Sequence, residues 1–198
     1  MIIRPIILSL IAGSLSFCAS EPVQLHYYLL SADTQQGVSV RTSNQQTAVV
    51  VDSIVLADYL QQSGIVLQTS ETQIQISKRH LWAETLETAL PKLLFKELQN
   101  HSTKFDFYLR YADFVPRSDY RLLVQIDSFQ ATDNGEVICS GRYQLVPQAE
   151  EEELISVDFT FNRDLHADGY DHAIDQLRLL VGDIAENILS NATALVEK

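Results

Sequence analysis

The sequence predicts an α/β fold, and three observations carry that reading. Two alternating segments flank Asn134-Gly135, the run Ala48 to Leu56 (AVVVDSIVL) is almost wholly apolar and β-branched, and apolar residues recur at helical spacing from Tyr170 to Ile188. Strands and helices therefore share one chain, with an antiparallel meander and a long C-terminal helix among them.

Each element follows from local pattern. His26 to Ser31 reads as a first strand and Gln35 to Gln46 as a polar connection. Ala48 to Leu56 suits a strand covered on both faces, because no regular alternation of polar residues marks a solvent side. Ala57 to Gln62 has the length of one helical turn, with Gly64 as its stop. Ile65 to Thr69 and Gln73 to Ser77 alternate across a polar turn, as two short strands do.

From Leu81 the period changes. Leu86, Leu90, Leu93, Leu94 and Leu98 fall on one helical face, predicting an amphipathic helix over Glu84 to Gln99. Pro91 lies inside it and removes the amide that would bond back to Glu87, at ~3 kcal/mol unless the helix bends. A bend at Pro91, or a helix that begins there after a separate turn, both satisfy this constraint.

Tyr120 to Ala131 and Val137 to Val146 form the hairpin arms, since Asn and Gly both tolerate the positive φ that a tight turn demands. Ile155, Val157, Phe159 and Phe161 alternate with polar residues and give the third strand of the meander. Tyr170, Ile174, Leu177, Val181, Ile184 and Ile188 then trace the stripe of the last helix, which Asp168 is placed to cap. Such a stripe packs on the sheet or receives a partner helix.

Composition narrows the function classes. The chain has 198 residues, 14 Lys and Arg against 26 Asp and Glu, and a net charge of −12. A basic nucleic-acid surface is excluded, because phosphate contacts need many cations. With 46% hydrophobic residues the chain is long enough to bury a core as one domain without metal or disulfide staples. Two cysteines make neither a disulfide framework nor a zinc pairing, and no phosphate loop, dinucleotide fingerprint, zinc-protease helix or nucleophile elbow is present.

The densest polar segment, Asn162 to His172, offers Asp164, His166, Asp168 and His172 as metal ligands or, more simply, a solvated loop before a capped helix. The acidic run Glu150 to Glu153 reads as a solvated loop, and Cys139 as a buried thiol within a strand. No serine or cysteine is paired with a histidine in a catalytic pattern. The expectation is no catalytic residue, no metal and no cofactor.

The N-terminus carries a targeting signal. Residues 1 to 17 hold one charge, Arg4, followed by an apolar stretch from Ile6 to Phe17 that ends at Cys18. A helix of that length reaches about 18 Å, well short of the ~30 Å hydrocarbon core, so the segment reads as a signal peptide. Leu15-Ser16-Phe17-Cys18 is similar to a bacterial lipobox, with the large Phe17 where a small residue is usual, and it makes Cys18 the expected lipid attachment site. Cleavage after Ala19 or Ser20 is the alternative. Ala19 after the cysteine, in place of Asp, favours the outer membrane. Removing residues 1 to 17 leaves a still more acidic body that anionic lipids repel, so attachment rests on the acyl chains. The expected layout is a signal peptide at 1–17, a lipidated tether at 18–24 and a single domain at 25–198.

Ile65-Val66-Leu67-Gln68-Thr69-Ser70, followed by His80-Leu81-Trp82-Ala83-Glu84-Thr85-Leu86, resembles the ABC-type transport auxiliary lipoproteins, most closely the intermembrane transport lipoproteins among them. Tyr27-Tyr28-x-Leu30, Asp58-Tyr59-Leu60, the Asn134-Gly135 hairpin and Gly169-Tyr170-Asp171 agree with it, so that the likeness runs from about Tyr27 to Ile188. The resemblance implies a three-layer α/β sandwich with a mixed sheet and a non-enzymatic role. It implies a lipoprotein on the periplasmic face of the outer membrane that partners an MCE-domain tunnel protein for lipid transport, and a homo-oligomeric ring.

Aromatic anchors dominate interfaces. Exposed parts of Asp58, Tyr59 and Leu60, of Ile65 and Val66, and Trp82 are therefore the candidate partner-interface residues, with core packing as the competing role for Tyr59 and Trp82. Two other functions compete: a stand-alone periplasmic lipid carrier with its own cavity, and a hydrolase built on the Asp and His residues near 164 to 172.

Overall fold

The structure is a computed structural model that describes residues 23–30, 46–112, 117–149 and 154–196. The expected signal peptide, Cys18, the expected tether up to Pro22, the connection from Gln35 to residue 45 and the acidic run Glu150 to Glu153 lie outside the described residues.

The described residues form eight strands and two α-helices: β1 (His26–Tyr28), β2 (Thr47–Leu56), β3 (Gly64–Ser70), β4 (Gln73–Trp82), α1 (Leu86–His101), β5 (Phe105–Leu109), β6 (Tyr120–Thr132), β7 (Glu136–Pro147), β8 (Ile155–Asp164) and α2 (Tyr170–Val196). A 3-10 turn at Asp58–Gln61 joins β2 to β3.

β6 is the spine of one mixed sheet. One of its edges pairs antiparallel with β7, from Tyr120 opposite Pro147 to Ala131 opposite Val137, and β7 pairs antiparallel with β8. The other edge is shared. β2 runs parallel along it as far as Leu56 opposite Ile126, and β3 takes over at Leu67 opposite Ala131. An irregularity in β6 between Ile126 and Ser128 sits where one neighbour gives way to the next. β5 extends the sheet beyond β2, and β4 and β1 extend it beyond β3.

Both helices pack against each other and against the same sheet face, α1 over β2 and β5, α2 over β7 and β8. Leu86, Leu90, Leu93, Leu94 and Leu98 of α1 and Ile174, Leu177, Val181, Ile184 and Ile188 of α2 are all buried. They meet Val49, Val51, Leu122, Val124, Tyr143 and Leu145 from the strands in a single core. Each such side chain contributes about 1.5–3 kcal/mol on burial, so the stripe of α2 is spent within this chain, on the sheet and on α1. The α/β class, the mixed sheet, the antiparallel meander and the C-terminal helix are all present; among the described residues the layers are the sheet and the helix pair on one of its faces.

Several boundaries differ from the sequence reading. β1 ends at Tyr28. β4 continues to Trp82, so that residue closes a strand and does not lead into the helix. α1 is one helix through Pro91, which sets aside a start at Pro91; the ring is buried among the leucines of the first two turns, where packing offsets the lost amide bond. β5 was not legible as a strand. Gly64 is no helix stop but the first residue of β3, and a Cβ there would come within 2.3 Å of the Ser77 carbonyl oxygen. β2 is covered on both faces from Val49 to Asp52, beyond which Ser53 and Val55 are exposed. At the start of α2 the Ala173 amide bonds Gly169 O at 3.2 Å, so Gly169, at φ 110°, holds the capping position in place of Asp168.

Candidate functional site

The turn after β2 is fastened to the spine by side chains. The Tyr59 hydroxyl donates to Asp127 O at 2.8 Å, at the β6 irregularity, and lies 3.0 Å from Gln130 Oε1. Buried Gln130 also accepts from the Phe129 amide and donates to Gln68 Oε1, so both ends of its side-chain amide are occupied. Of the six interface candidates, Leu60, Ile65, Val66 and Trp82 are buried, Tyr59 is half-buried and Asp58 is exposed at the turn surface. The residues are neighbours in the fold, but the isolated chain uses most of them as core.

Ile65 and Val66 reach a surface nonetheless. With Leu67 they form one wall of an open, mainly apolar groove of about 410 Å³, whose other wall is Tyr170, Ala173, Ile174 and Leu177 of α2 and whose end is the hairpin turn at Gly135. Gly135 has φ 78°, as the Asn134-Gly135 signal requires. Next to this groove His80 stacks between His26, at 5.0 Å, and Tyr170, at 3.7 Å, while the Tyr28 hydroxyl lies 2.8 Å from His80 Nδ1. Burial, helped by the charge of Asp171, pushes the Tyr28 hydroxyl above its ordinary pKa, so it stays neutral in this cluster.

A second groove, of about 420 Å³, opens on the sheet face away from the helices. Its centre is Asp52, which β2 carries at its irregularity between Val51 and Ile54. Arg110 Nη1 bonds both Asp52 oxygens, at 2.8 and 2.6 Å, and Arg121 Nη2 bonds Oδ2. Burial would raise the Asp52 carboxyl, but the hydrogen bonds from Arg110, Arg121 and the Ser53 amide outweigh it and hold the group down at about 2. Arg142, from β7, lines the same groove and bonds Asp158 through Nε at 2.5 Å. The sequence reading passed over this cluster. Its one signal was Asp52, a lone charge in an otherwise apolar strand.

His172 Nε2 accepts the His166 amide at 3.2 Å, and no group of three His, Cys, Asp or Glu able to hold a metal exists among the described residues. Cys139 is fully buried, and burial pushes its thiol far above the range in which a thiolate forms. No described helix is long and apolar enough to cross a membrane.

Comparison with known proteins agrees with this architecture. The chain is 28% identical over 163 residues to the intermembrane transport lipoprotein PqiC of Escherichia coli K12, covering 82% of this chain and 83% of PqiC, with the same figures for PqiC of Shigella flexneri. Among solved structures, the crystal structure of an uncharacterized protein superposes with a TM-score of 0.72 at 25% identity, over 85% of this chain and 99% of that one. Protein XCC0632 from Xanthomonas campestris shares the fold, with a TM-score of 0.63 at 14% identity over 82% and 92% of the two chains. The family described as the ABC-type transport auxiliary lipoprotein component matches residues 28–189, which takes in the sheet from the last residue of β1 and all but the last turns of α2, and the chain belongs to that family.

Proposed function

We propose that this protein is an outer-membrane-anchored periplasmic lipoprotein, the accessory component of an intermembrane lipid transport system that docks a tunnel-forming MCE-domain protein at the outer membrane. The observation that carries the reading is the likeness to PqiC across 82% of the chain, joined to a cysteine that ends an apolar leader. A domain held by acyl chains at Cys18 is confined close to the bilayer, so weak contacts gain effective concentration and become avid in a ring of copies. The tether is 18–24 and the docking body is 25–198. Asp58, Tyr59 and the groove wall at Ile65 and Val66 supply the contact, with Leu60 and Trp82 setting its shape from beneath.

The experiment is palmitate labelling and membrane fractionation of the wild type and Cys18→Ser, together with co-isolation of an MCE-domain protein. Labelling that depends on Cys18, outer-membrane fractionation and capture of the tunnel protein are expected. A processed chain free in the periplasm that captures no such protein overturns the reading. The groove beside Ile65 and Leu177 is the feature that favours a stand-alone lipid carrier; that role predicts lipid retained on the isolated protein in native mass spectrometry.

A further inference from the structure

From the second groove we infer a phosphate-binding site, formed by Arg110, Arg121 and Arg142 on the sheet face opposite the helices. In a chain of net charge −12, three guanidiniums and one carboxylate line this single concavity of about 420 Å³. The carboxylate, Asp52, is 5% exposed and spent on Arg110 and Arg121, which it fixes in place. The guanidiniums remain accessible, with side-chain exposures of 60% for Arg110, 39% for Arg121 and 54% for Arg142. Arg142 gives only its Nε to Asp158, so both Nη groups lack a partner among the described residues.

Three forked donor groups around one space suit a tetrahedral oxyanion with several acceptor oxygens better than a planar carboxylate with two. Val55, 61% exposed, and Leu123 line the groove beside the arginines and give an apolar shelf next to the charge. That pairing fits a phosphate carried on a glycerol or acyl body, and the same donors take free phosphate. Asp158 and, more distantly, Asp127 hold Arg142 at the rim and compete for it. The register fixes the arrangement: Gln125 pairs with Arg142 across β6 and β7, and Arg110 follows Leu109, which pairs with Val51 next to Asp52. The test of this site does not depend on the docking role, since binding is read by titration and not by co-isolation.

The test titrates the full processed chain in detergent with inorganic phosphate and with dihexanoyl phosphatidylglycerol. Saturable binding with a Kd of about 1 mM or tighter is expected for at least one probe. Comparable affinities identify a site for the phosphate group alone; a clear preference for the lipid identifies a headgroup site. Arg142→Gln should weaken binding about tenfold and Asp158→Asn should tighten it, because one removes a charge-assisted donor and the other frees it. Both changes fall on an exposed pair, so melting temperatures should match the wild type. Absence of saturable binding by either probe overturns the site, as do affinities that neither variant moves. Loss of partner capture in Arg142→Gln without any phosphate binding overturns it in favour of an acidic polypeptide.

Discussion

The Tyr143 hydroxyl donates to Asn187 Oδ1 at 2.7 Å, joining the middle of β7 to the second half of the C-terminal helix. Tyr143 is fully buried, and its oxygen also accepts from Asn191 Nδ2 at 2.8 Å. One turn of α2 thus presents two amides at positions four apart to a single phenol, and the helix is fixed in rotation as well as in position over the sheet. Tyr143→Phe keeps the ring and leaves the amides without their partner. Denaturant unfolding should show a loss of about 1–2 kcal/mol.

Asp52 gives the fold an acid dependence. Its carboxyl is held from an ordinary 3.8 down to about 2, so the folded state releases this proton more readily than the unfolded chain. The stabilisation is fully present above the unfolded value and is lost as pH falls toward 2. Asp52→Asn should be less stable than the wild type at neutral pH, and the difference between them should shrink between pH 4 and 2 in denaturant melts.

Two glycines should respond in opposite directions to alanine. A Cβ at Gly141 would stand 2.0 Å from the Gln125 carbonyl oxygen, where β6 and β7 pass in register, so Gly141→Ala must push two strands apart. A loss of about 3 kcal/mol or more, or failure to fold, is expected. Gly182 lies inside α2 with nothing within 4 Å of its Cβ position, so Gly182→Ala should gain up to about 1 kcal/mol and raise the melting temperature.

Trp82 separates core from interface. It is 6% exposed at the end of β4, where its amide bonds Ser63 O at 2.8 Å. Trp82→Ala should cost about 3–5 kcal/mol in thermal or denaturant unfolding. An unchanged melting temperature with loss of partner binding would mark it instead as a contact residue.

The hairpin at Asn134-Gly135, the alternating strand from Ile155 and the stripe of α2 were legible because each is specified by neighbours in sequence. A turn needs a positive φ at one residue, and a pleat or a helical face needs a period. Phe105–Leu109 was not legible, since a five-residue strand buried beside β2 carries too few alternations to show a period. Its identity depends on parallel pairing with a segment more than fifty residues earlier, from Thr47 opposite Phe105 to Val51 opposite Leu109. The interface candidates show the same divide. Leu60 and Trp82 have side chains suited to a hot spot, but exposure is a property of what covers them, and both are packed into the buried core.

By itself the sequence determined the α/β class, the meander and the amphipathic helices, along with the family to which the motifs point. All of these are local patterns or linear motifs. Only the tertiary structure decided that β6 shares one edge between β2 and β3, that both helices lie on one face, and that Arg110, Arg121 and Arg142 gather around Asp52. The reason is chain distance: the three arginines and the aspartate come from four different strands or strand ends, and nothing in their sequence spacing encodes a meeting that sheet register alone brings about.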